Sequence, residues 1–492
     1  MTCLLNGKVK MEEDVAVKYD LDVLVVGGGA AGFGAAICAT RHGLKTMLVE
    51  QQNCLGGLIT LGIVNALGGY PEGVGQELME RLKADKALKG AICDHEKTKF
   101  VLEQMVIESG AKIIYGTYII DAVVQGNVIK GAVAQNKSGR QAILAKMVID
   151  CSGDADVAAY AGAPFQSGSE EWGGYNMATS LDFRVGNVDY NKYLASPHPT
   201  IKKIMMDAVE KGELPYLIDG GHGVGGGGYF AVLPNRPKDR SELYLCIAHS
   251  RKCRALDAED LTRQILEQRQ QAQWLVKLFQ KYMPGFENCW LIETAPMLGV
   301  RESRRILGEY VFTGKDLVLA RKFPDAIARD THGFDIHHPI DSSIGYVKHT
   351  HLPKPQEPAV CQPDEKGGYE ARLKPGEYYE IPYRCLVPLK IDNLLVAGRC
   401  ISADFEGQAG ARLIMTCVTM GQAAGTAAAL SLKDGVTPRK LDAGQLRKQL
   451  IKQGINLDKK PSLYVCGFSK ESPLPEKAKY EIGPSDNLIV KT

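Results

Sequence analysis

The stretch that decides the fold begins with Leu21-Asp-Val-Leu-Val-Val26, continues through Gly27-Gly-Gly29-Ala-Ala-Gly32 and ends with Thr46-Met-Leu-Val-Glu50. The two apolar runs are typical of buried strands, and the alanine-rich residues between them favour a helix. The glycine spacing allows a tight turn, a close approach of the backbone to a pyrophosphate and close packing of helix on strand. The helix N-terminus offers N–H groups to phosphates, and Glu50 can accept hydrogen bonds from ribose hydroxyls. We therefore predict a βαβ dinucleotide-binding unit rather than a turn that is only tightly packed.

Length and composition are those of a large globular chain, with 492 residues of which 45% are hydrophobic and 24% charged. The 59 basic and 57 acidic residues give a net charge of +2, so no overall field recruits nucleic acid or an anionic membrane. No apolar run reaches the roughly 18 residues of a membrane span, and the N-terminal apolar run is too short for a signal peptide. The 13 cysteines include no Cys-x-x-Cys pair, which disfavours a disulfide framework, a zinc site and an iron–sulfur cluster. We expect a cytoplasmic protein with no metal.

The order of patterns along the chain predicts its domains. The predicted class is α/β, a Rossmann-like nucleotide-binding domain with an inserted α+β substrate domain. The segments are 18–165 for the first part of the nucleotide-binding domain, 166–380 for the insertion, 381–433 for the second part and 434–492 for a C-terminal extension.

Shorter patterns predict further elements. Gly421 and Gly425 indicate that the last long helix packs closely on the strand before it. The elements are helices over 92–110, 256–282 and 410–430, a β-meander over 112–149 with turns at 126–127 and 138–139, a buried strand over 393–398 and an exposed loop over 352–376.

The acid at position 50 narrows the choice of dinucleotide. A 2′-phosphate favours a basic partner where Glu50 stands, so NADP is disfavoured as the tightly bound cofactor, and FAD or NAD remains. A second glycine-rich strand-to-helix unit, from Gly398 to Leu430, follows about 350 residues later. An NAD site is normally completed near its first βαβ units, whereas a long flavin needs a distant segment at its ring end. This arrangement favours FAD.

A set of motifs extends this prediction across most of the chain. They are Gly27–Gly32, Glu50, Leu55-Gly-Gly57, Val148-Ile-Asp-Cys-Ser-Gly-Asp-Ala-Asp156, Val300-Arg-Glu-Ser-Arg-Arg-Ile306, Ile381-Pro-Tyr-Arg-Cys-Leu386 and Asn393-Leu-Leu-Val-Ala-Gly-Arg-Cys-Ile-Ser402. Together they resemble the FAD-dependent oxidoreductase family, which is related to the glutathione-reductase-like flavoproteins, fumarate-reductase flavoprotein subunits among them. The resemblance spans about residues 18–432 and departs at Ala155, where the family more often has glycine. It implies a discontinuous FAD domain interrupted by a substrate domain, and it fixes the cofactor better than the reaction.

The resemblance also implies which residues contact FAD. Redox-disulfide relatives carry a cysteine pair beside the flavin, but Cys54 has no partner at a suitable spacing, which disfavours a dithiol mechanism. The implied contacts are Gly27, Gly29, Ala30, Ala31 and Gly32 at the pyrophosphate; Glu50 and Gln51 at the adenosine ribose; Gly56 and Gly57 at the flavin side of the pyrophosphate; Asp150 and Gly153 near the adenosine; and Gly398, Arg399, Gly410 and Ala411 near the ribityl chain and pyrimidine ring.

Two arginines are candidates for the substrate side of the flavin. If residues 297–307 form a strand, alternation places Arg301 and Arg305 together with Ser303 on one face, and Glu302 with Arg304 on the other. Fixed guanidinium charges then bind a substrate carboxylate or stabilise a developing enolate. The alternative, of equal weight, is a structural ion network between domains.

Four further residues are candidates for proton transfer or substrate contact. His337 and His338 lie in the irregular segment Asp335-Ile-His-His-Pro, His222 lies in the glycine run 220–228, and Tyr383 precedes the second glycine-rich unit. A single histidine is more often only hydrogen-bonded or exposed. Metal binding by His349 and His351 is disfavoured, since no acidic or histidine partner stands nearby.

The function predicted from these residues is an FAD-dependent oxidoreductase that transfers a hydride between a small organic substrate and flavin N5. The reaction is either a dehydrogenation or the reduction of an activated C=C bond. One alternative is an FAD-dependent RNA-modifying protein, against which the near-neutral charge argues. Another is a flavin-bearing electron-transfer or assembly subunit with a separate electron donor or acceptor, which the lack of cluster-type cysteine spacing disfavours.

Overall fold

The computed structural model describes residues 14–218, 231–340, 373 and 377–458, together with the backbone of a few short strands outside these ranges. The predicted βαβ unit is present as the strand Val17–Val26, the helix Ala30–Arg41 and the strand Thr46–Val49. The strand residues Val23, Leu24 and Val25 have no exposed surface, as expected for a strand covered on both faces.

A parallel sheet lies at the centre of the nucleotide-binding part. Its strands are ordered Lys112–Ile114, Thr46–Val49, Val17–Val26, Gly139–Asp150 and Leu394–Val396. The last strand comes from the distant second segment and pairs Leu394 with Val148. The mixed α/β class and the return of the chain to the first sheet are therefore confirmed.

The long strand Gly139–Asp150 belongs to two arrangements at once. Its first half pairs antiparallel with Val128–Asn136, which in turn pairs with Tyr118–Gln125, and this completes the predicted meander. Its second half pairs in parallel with Leu394–Val396. The same edge of one strand thus carries a hairpin partner first and a partner from the second segment afterwards.

The helix Ile414–Asp434 packs closely against the helix Ala30–Arg41. The sequence predicts one helix over 410–430, and the structure has two, Phe405–Ala411 and Ile414–Asp434. A Cβ on Gly421 would lie 1.9 Å from the carbonyl oxygen of Ala31, and one on Gly425 would lie 2.3 Å from that of Ala35. The prediction that these glycines pack on the preceding strand is wrong, because they allow close contact with the first helix instead.

Three more helices cover the same core. They are Val74–Ala84, His95–Ser109 and Ala443–Lys452. The side chain of Asp94 caps the second of these by accepting hydrogen bonds from the N–H groups of Glu96 and Lys97. This helix confirms the prediction over 92–110.

A second core lies between residues 183 and 289. It is built on an antiparallel sheet ordered Tyr229–Val232, Ser241–Cys246, Phe183–Val188 and Trp290–Thr294. The helices Tyr190–Ala195, Ile201–Glu210 and Ala258–Tyr282 lie with this sheet, and the last confirms the helix predicted over 256–282.

The end of the predicted insertion packs with the first domain. Phe312, Leu317, Ala328 and Tyr379 belong to the same hydrophobic core as the helix Ala30–Arg41. The boundaries at 165, 380 and 433 remain predictions.

Short elements complete the architecture. They are the strands Leu88–Lys89, Ile92–Cys93, Phe165–Ser167, Thr179–Ser180, His249–Ser250, Arg304–Ile306, Ala326–Asp330 and Tyr379–Pro382; the helices Asp156–Tyr160 and Gly314–Val318; the 3-10 turns Gly57–Ile59, Glu170–Trp172, Lys238–Arg240, Tyr383–Leu386 and Pro438–Lys440; and the strand pairs Thr2–Leu5 with Lys8–Met11, Gln362–Pro363 with Tyr369–Glu370 and Lys479–Ile482 with Leu488–Lys491.

Within the described ranges, no single helix has the length and apolar composition needed to cross a membrane. The pair Phe405–Ala411 and Ile414–Asp434 meets those two criteria only when both helices are taken together across their 94° bend. The predicted loop over 352–376 lies almost entirely outside the described residues, as do His222, His349 and His351.

Candidate active site

The first glycine turn forms one wall of a cleft. Gly27 has a φ of +92°, and a Cβ there would lie 2.5 Å from the carbonyl oxygen of Cys151. A Cβ on Gly32 would lie 1.7 Å from the carbonyl oxygen of Gly27, so only glycine lets the helix begin this close to the strand. A Cβ on Gly29 would have no atom within 4 Å, which leaves open space beside its backbone. The turn therefore has the shape of a pyrophosphate cradle.

The carboxylate of Glu50 holds this turn and also reaches the cleft. Its Oε2 accepts a hydrogen bond from the Gly28 N–H at 2.6 Å, and its Oε1 accepts one from the Gln52 N–H at 2.7 Å. Burial raises the pKa of Glu50, against the opposing effect of these backbone N–H groups. The side chain lines the cleft beside Gln51, so its remaining lone pairs are available to ribose hydroxyls.

A second glycine pair continues the wall. The Gly56 N–H donates to the Gly28 carbonyl at 2.8 Å. Gly56 has a φ of +103°, and a Cβ on Gly57 would lie 3.2 Å from the Cα of Gly29. The two glycine turns thus touch each other, and both line the cleft.

The turn after the strand Gly139–Asp150 is held by a buried acid. Asp150 has no exposed surface; its Oδ1 accepts from the Ser152 N–H and its Oδ2 from the Ala158 N–H, each at 3.0 Å. Burial raises the pKa of Asp150. Gly153, with a φ of +83°, lies on the cleft side of this turn. Asp150 therefore shapes the turn that presents Gly153.

Most of the predicted cofactor contacts line a single cleft of about 430 Å³. The residues present, from glycine cradle to ribose acceptor, fit a dinucleotide. Those lining the cleft are Gly27, Gly29, Ala30, Ala31, Glu50, Gln51, Gly56, Gly57, Gly153, Gly398 and Arg399.

Four predicted contacts lie behind the surface of the cleft. Gly32 and Asp150 support its turns, as described. Gly410 and Ala411 are packed in the core: a Cβ on Gly410 would lie 2.2 Å from Leu317 Cδ1, and the Tyr379 hydroxyl donates to the Gly410 carbonyl at 2.8 Å. The small side chains here serve helix packing, which a glycine pattern in sequence does not distinguish from ligand contact.

The predicted strand over 297–307 is wrong, because the strand covers only Arg304–Ile306. Alternation therefore does not hold across residues 297–303, and Arg301 and Arg305 do not converge on one ligand. Arg301 lines the cleft, whereas Arg305 does not.

Arg305 belongs to a buried ion network. Its guanidinium pairs with Glu302 and donates to the carbonyls of Gly168 and Ala403, both at 3.2 Å. Glu302, with no exposed surface, also accepts from the Asn176 side chain at 2.6 Å. Arg305 therefore has the structural role, that of a member of an ion network, and not the substrate role.

Arg301 is the predicted substrate-side residue that reaches the cleft. Its Nη1 donates to the Ala178 carbonyl at 2.7 Å, and its Nη2 lies 3.2 Å from His249 Nε2. The residue is 8% exposed. Sequence patterns did not single out His249, which sits in a two-residue strand too short for periodicity to mark.

The candidate histidines and tyrosine lie outside the cleft lining. His337 is buried, and its ring stacks on that of His249 at a centroid distance of 5.3 Å. His338 is half-buried, and its Nδ1 accepts from the Ile340 N–H at 3.1 Å. The Tyr383 hydroxyl donates to the Pro438 carbonyl at 3.0 Å within the core, and burial raises its pKa far above the usual range.

Sequence patterns also did not single out Arg412, the third arginine that lines the cleft in the described ranges. Arg412 lines the cleft and pairs with Asp335 at 2.8 Å, and Asp335 lies 3.1 Å from His337 Nε2. Burial alone would raise the pKa of Asp335, but Arg412 and His337 outweigh it and hold that pKa well below its usual range. The charge of Arg412 is therefore compensated within the protein.

A family model described as FAD dependent oxidoreductase matches residues 22–450. Thiamine thiazole synthase of Methanococcus vannielii is 29% identical over 184 residues, which is 31% of this chain and 69% of that protein. The same enzyme of Sulfolobus acidocaldarius is 32% identical over 28% of this chain and 58% of its own length. Digeranylgeranylglycerophospholipid reductase of Picrophilus torridus is 25% identical over 37% of this chain and 52% of its own length. The chain thus spans between about half and about two thirds of these relatives.

Two solved structures show weaker similarity to this chain. A geranylgeranyl bacteriochlorophyll reductase-like protein of Thermoplasma acidophilum has a TM-score of 0.44 and 14% identity, covering 88% of this chain and 84% of that one. THI4 of Thermovibrio ammonificans has a TM-score of 0.26 and 21% identity, covering 30% of this chain and 64% of that one. Scores this low say nothing about the reaction.

Proposed function

This chain belongs to the FAD-dependent oxidoreductase family, and on that premise we propose that it transfers a hydride between a small organic substrate and flavin N5. FAD is its cofactor, and the protein is an enzyme. The hydride moves either from the substrate to the flavin, as a dehydrogenation, or from the flavin to the substrate, as the reduction of an activated C=C bond. A relation to fumarate-reductase subunits stays a prediction.

One observation carries the proposal: a single cleft is lined both by the glycine cradle and by the buried residue Arg301. The cradle end suits the pyrophosphate and adenosine ribose of FAD, through the backbone at Gly29 and the carboxylate of Glu50. The Arg301 end has an apolar wall that includes Leu261 and Ile265. A dinucleotide and a small molecule therefore share one space.

Bound FAD supplies hydride chemistry, and the chain supplies position and charge. Leu261 and Ile265 give the cleft an apolar wall, and electrostatic interactions are stronger beside such a wall than in bulk water. Arg301 presents a fixed positive charge that binds the substrate or stabilises charge developing on it. We assign no proton transfer to His337, His338 or Tyr383, since none of them lines the cleft.

The cellular location is part of the same proposal. The ten cysteines in the described ranges are free and buried. Free thiols are the usual state in a reducing compartment, which supports the cytoplasm.

The first test identifies the cofactor and the reaction. Denaturing the purified protein should release FAD, and an anaerobic screen of small organic compounds should find one that bleaches the flavin. An alternative outcome is bleaching only with a reduced protein partner, which would favour an electron-transfer subunit. Flavin-dependent modification of RNA without any small-molecule turnover would favour the RNA-modifying alternative. Either result would overturn the proposal.

A further inference from the structure

The charge on Arg301 has no ion-pair partner within residues 14–218, 231–340 and 377–458. Its side-chain partners are the Ala178 carbonyl and His249 Nε2. The other two arginines at the cleft are each compensated, Arg399 by Asp154 at 2.7 Å and Arg412 by Asp335 at 2.8 Å. Among the arginines that line the cleft in the described ranges, Arg301 is therefore the one without a carboxylate at ion-pair distance, and a ligand anion would supply that contact.

The partner His249 orients Arg301 without cancelling its charge. Its Nδ1 lies 3.0 Å from the Ile247 carbonyl oxygen, which only accepts, so Nδ1 carries the proton. Arg301 only donates, so Nε2 is the acceptor and the ring is neutral. Gln271 fixes the backbone by accepting from the His249 N–H at 2.9 Å and donating to its carbonyl at 3.0 Å.

A nearby carboxyl, Asp182, interacts electrostatically with Arg301 but is not in ion-pair contact with it. It accepts a hydrogen bond from the Tyr244 hydroxyl at 2.9 Å. Burial raises its pKa to about 6, and Arg301 is one of the groups that oppose this rise. Asp182 does not line the cleft, so it leaves the ligand-facing side of Arg301 available.

The surroundings of Arg301 in the cleft are apolar. Leu261 and Ile265 come from the helix Ala258–Tyr282, and Pro296, Met297 and Leu298 come from the segment before Arg301. This wall favours a ligand whose body is an aromatic or branched aliphatic group.

We propose that this end of the cleft is a carboxylate subsite, in which Arg301 binds the acid group of a substrate with an apolar body and His249 positions Arg301. This rests on the proposed function, since the molecule bound here is the one that exchanges a hydride with the flavin. A planar guanidinium matches a carboxylate through paired hydrogen bonds. Because only one arginine of the cleft lacks a direct ion pair, the subsite favours a monocarboxylate.

The test uses matched acids and amides on the FAD-loaded protein. Benzoate and isovalerate, with benzamide and isovaleramide as neutral equivalents, are titrated by calorimetry and by the visible spectrum of the flavin. We expect each acid to bind roughly tenfold more tightly than its amide, or better, as for a charge-assisted hydrogen bond. Equal binding of acid and amide, or no binding of either acid, would overturn the subsite.

Variants assign the preference to Arg301. Arg301→Gln should abolish it, whereas Arg301→Lys, which keeps the charge and loses the fork, should retain part of it. Arg269→Gln removes an exposed arginine from the same helix as Leu261 and should change nothing. Survival of the full acid preference in Arg301→Gln would contradict the proposal.

A second pair of variants tests His249 as a positioning residue. His249→Phe keeps a ring to stack on His337 but removes the acceptor, and His249→Gln keeps an acceptor. We expect weaker acid binding in the first and recovery in the second, at equal melting temperatures. Equal acid affinity in both variants would show that His249 does not act through Arg301.

The outcomes separate this subsite from the proposed function. Acid preference that depends on Arg301, with no compound able to bleach the flavin, would leave the subsite and overturn hydride transfer. If a neutral substrate bleaches the flavin at the same rate in Arg301→Gln as in the unchanged protein, hydride transfer stands and the carboxylate subsite is overturned.

Discussion

The two ends of the cleft differ in what forms them: the backbone forms the nucleotide end, and side chains form the substrate end. At the nucleotide end the backbone does the work: Gly27, Gly29 and Gly32 define a surface that a Cβ would fill or distort. At the substrate end the work is done by side chains from distant segments, where Arg301 contacts Ala178 and His249. The first end is therefore specified by a few adjacent residues, and the second only by the folded protein.

Because of this difference, the two ends of the cleft should tolerate different kinds of substitution. Backbone cradles respond to added volume, because the interior is close-packed and carbonyl groups cannot give way. Side-chain sites respond to a lost charge or donor. The following changes test that distinction, beginning with the largest expected effect.

Gly32→Ala should prevent a folded, FAD-loaded protein from forming, since its Cβ would lie 1.7 Å from a carbonyl oxygen. Gly29→Ala should leave the fold intact and block only FAD, because its Cβ would meet no protein atom within 4 Å. Flavin absorbance per protein and the melting temperature of the apoprotein measure the two effects. A stable Gly29→Ala protein with full FAD content would show that the pyrophosphate lies elsewhere.

Arg305→Met should destabilise the fold by about 3–5 kcal/mol, because it leaves the fully buried Glu302 without its cation. Denaturant unfolding of the variant beside the unchanged protein gives this difference. A loss of substrate turnover with unchanged stability would instead make Arg305 a functional residue.

Arg301→Met should show the opposite pattern. We expect substrate-driven flavin reduction to slow by about 10²-fold, the usual effect of removing one preorganised donor, while FAD stays bound and the melting temperature changes little. Rapid-mixing measurement of flavin reduction checks the rate. Reduction at the original rate would remove Arg301 from the substrate site.

Glu50→Ala should weaken FAD binding by about 1–3 kcal/mol, since it removes a buried acceptor. Burial raises the pKa of Glu50, so protonation on acidification removes part of that acceptor at a higher pH than for an ordinary glutamate. FAD affinity should therefore fall as the pH drops through this raised pKa, and Glu50→Gln should lack that step. Titration of both apoproteins with FAD at several pH values measures this pH dependence. The same dependence in Glu50→Gln would show that Glu50 is not its source.

The backbone end could be predicted from sequence because its determinants are local. The run Leu21–Val26, the glycine spacing and Glu50 lie within one βαβ unit, and each has a fixed geometric meaning. The helices His95–Ser109 and Ala258–Tyr282, predicted over 92–110 and 256–282, follow from equally local patterns.

The substrate end could not be predicted in the same way. Alternation failed over 297–303 because that segment is not a strand. The hydrogen bond from Arg301 to His249 joins residues 52 positions apart, and the Asp335–Arg412 pair joins residues 77 apart. Gly421 and Gly425 showed that something packs closely, while the identity of the neighbour required the fold.

The edge of Gly139–Asp150 that receives Leu394–Val396 has a consequence for synthesis on the ribosome. Val148 pairs with Leu394, which is synthesised 246 residues later. At ~5–20 residues per second this delay is roughly 12–50 s. Throughout that interval the nascent chain carries an unpaired, apolar strand edge, the kind of surface that invites pairing with other chains. The nucleotide-binding sheet is therefore completed late in translation, and we expect shielding of this edge on the ribosome to limit aggregation of the nascent chain.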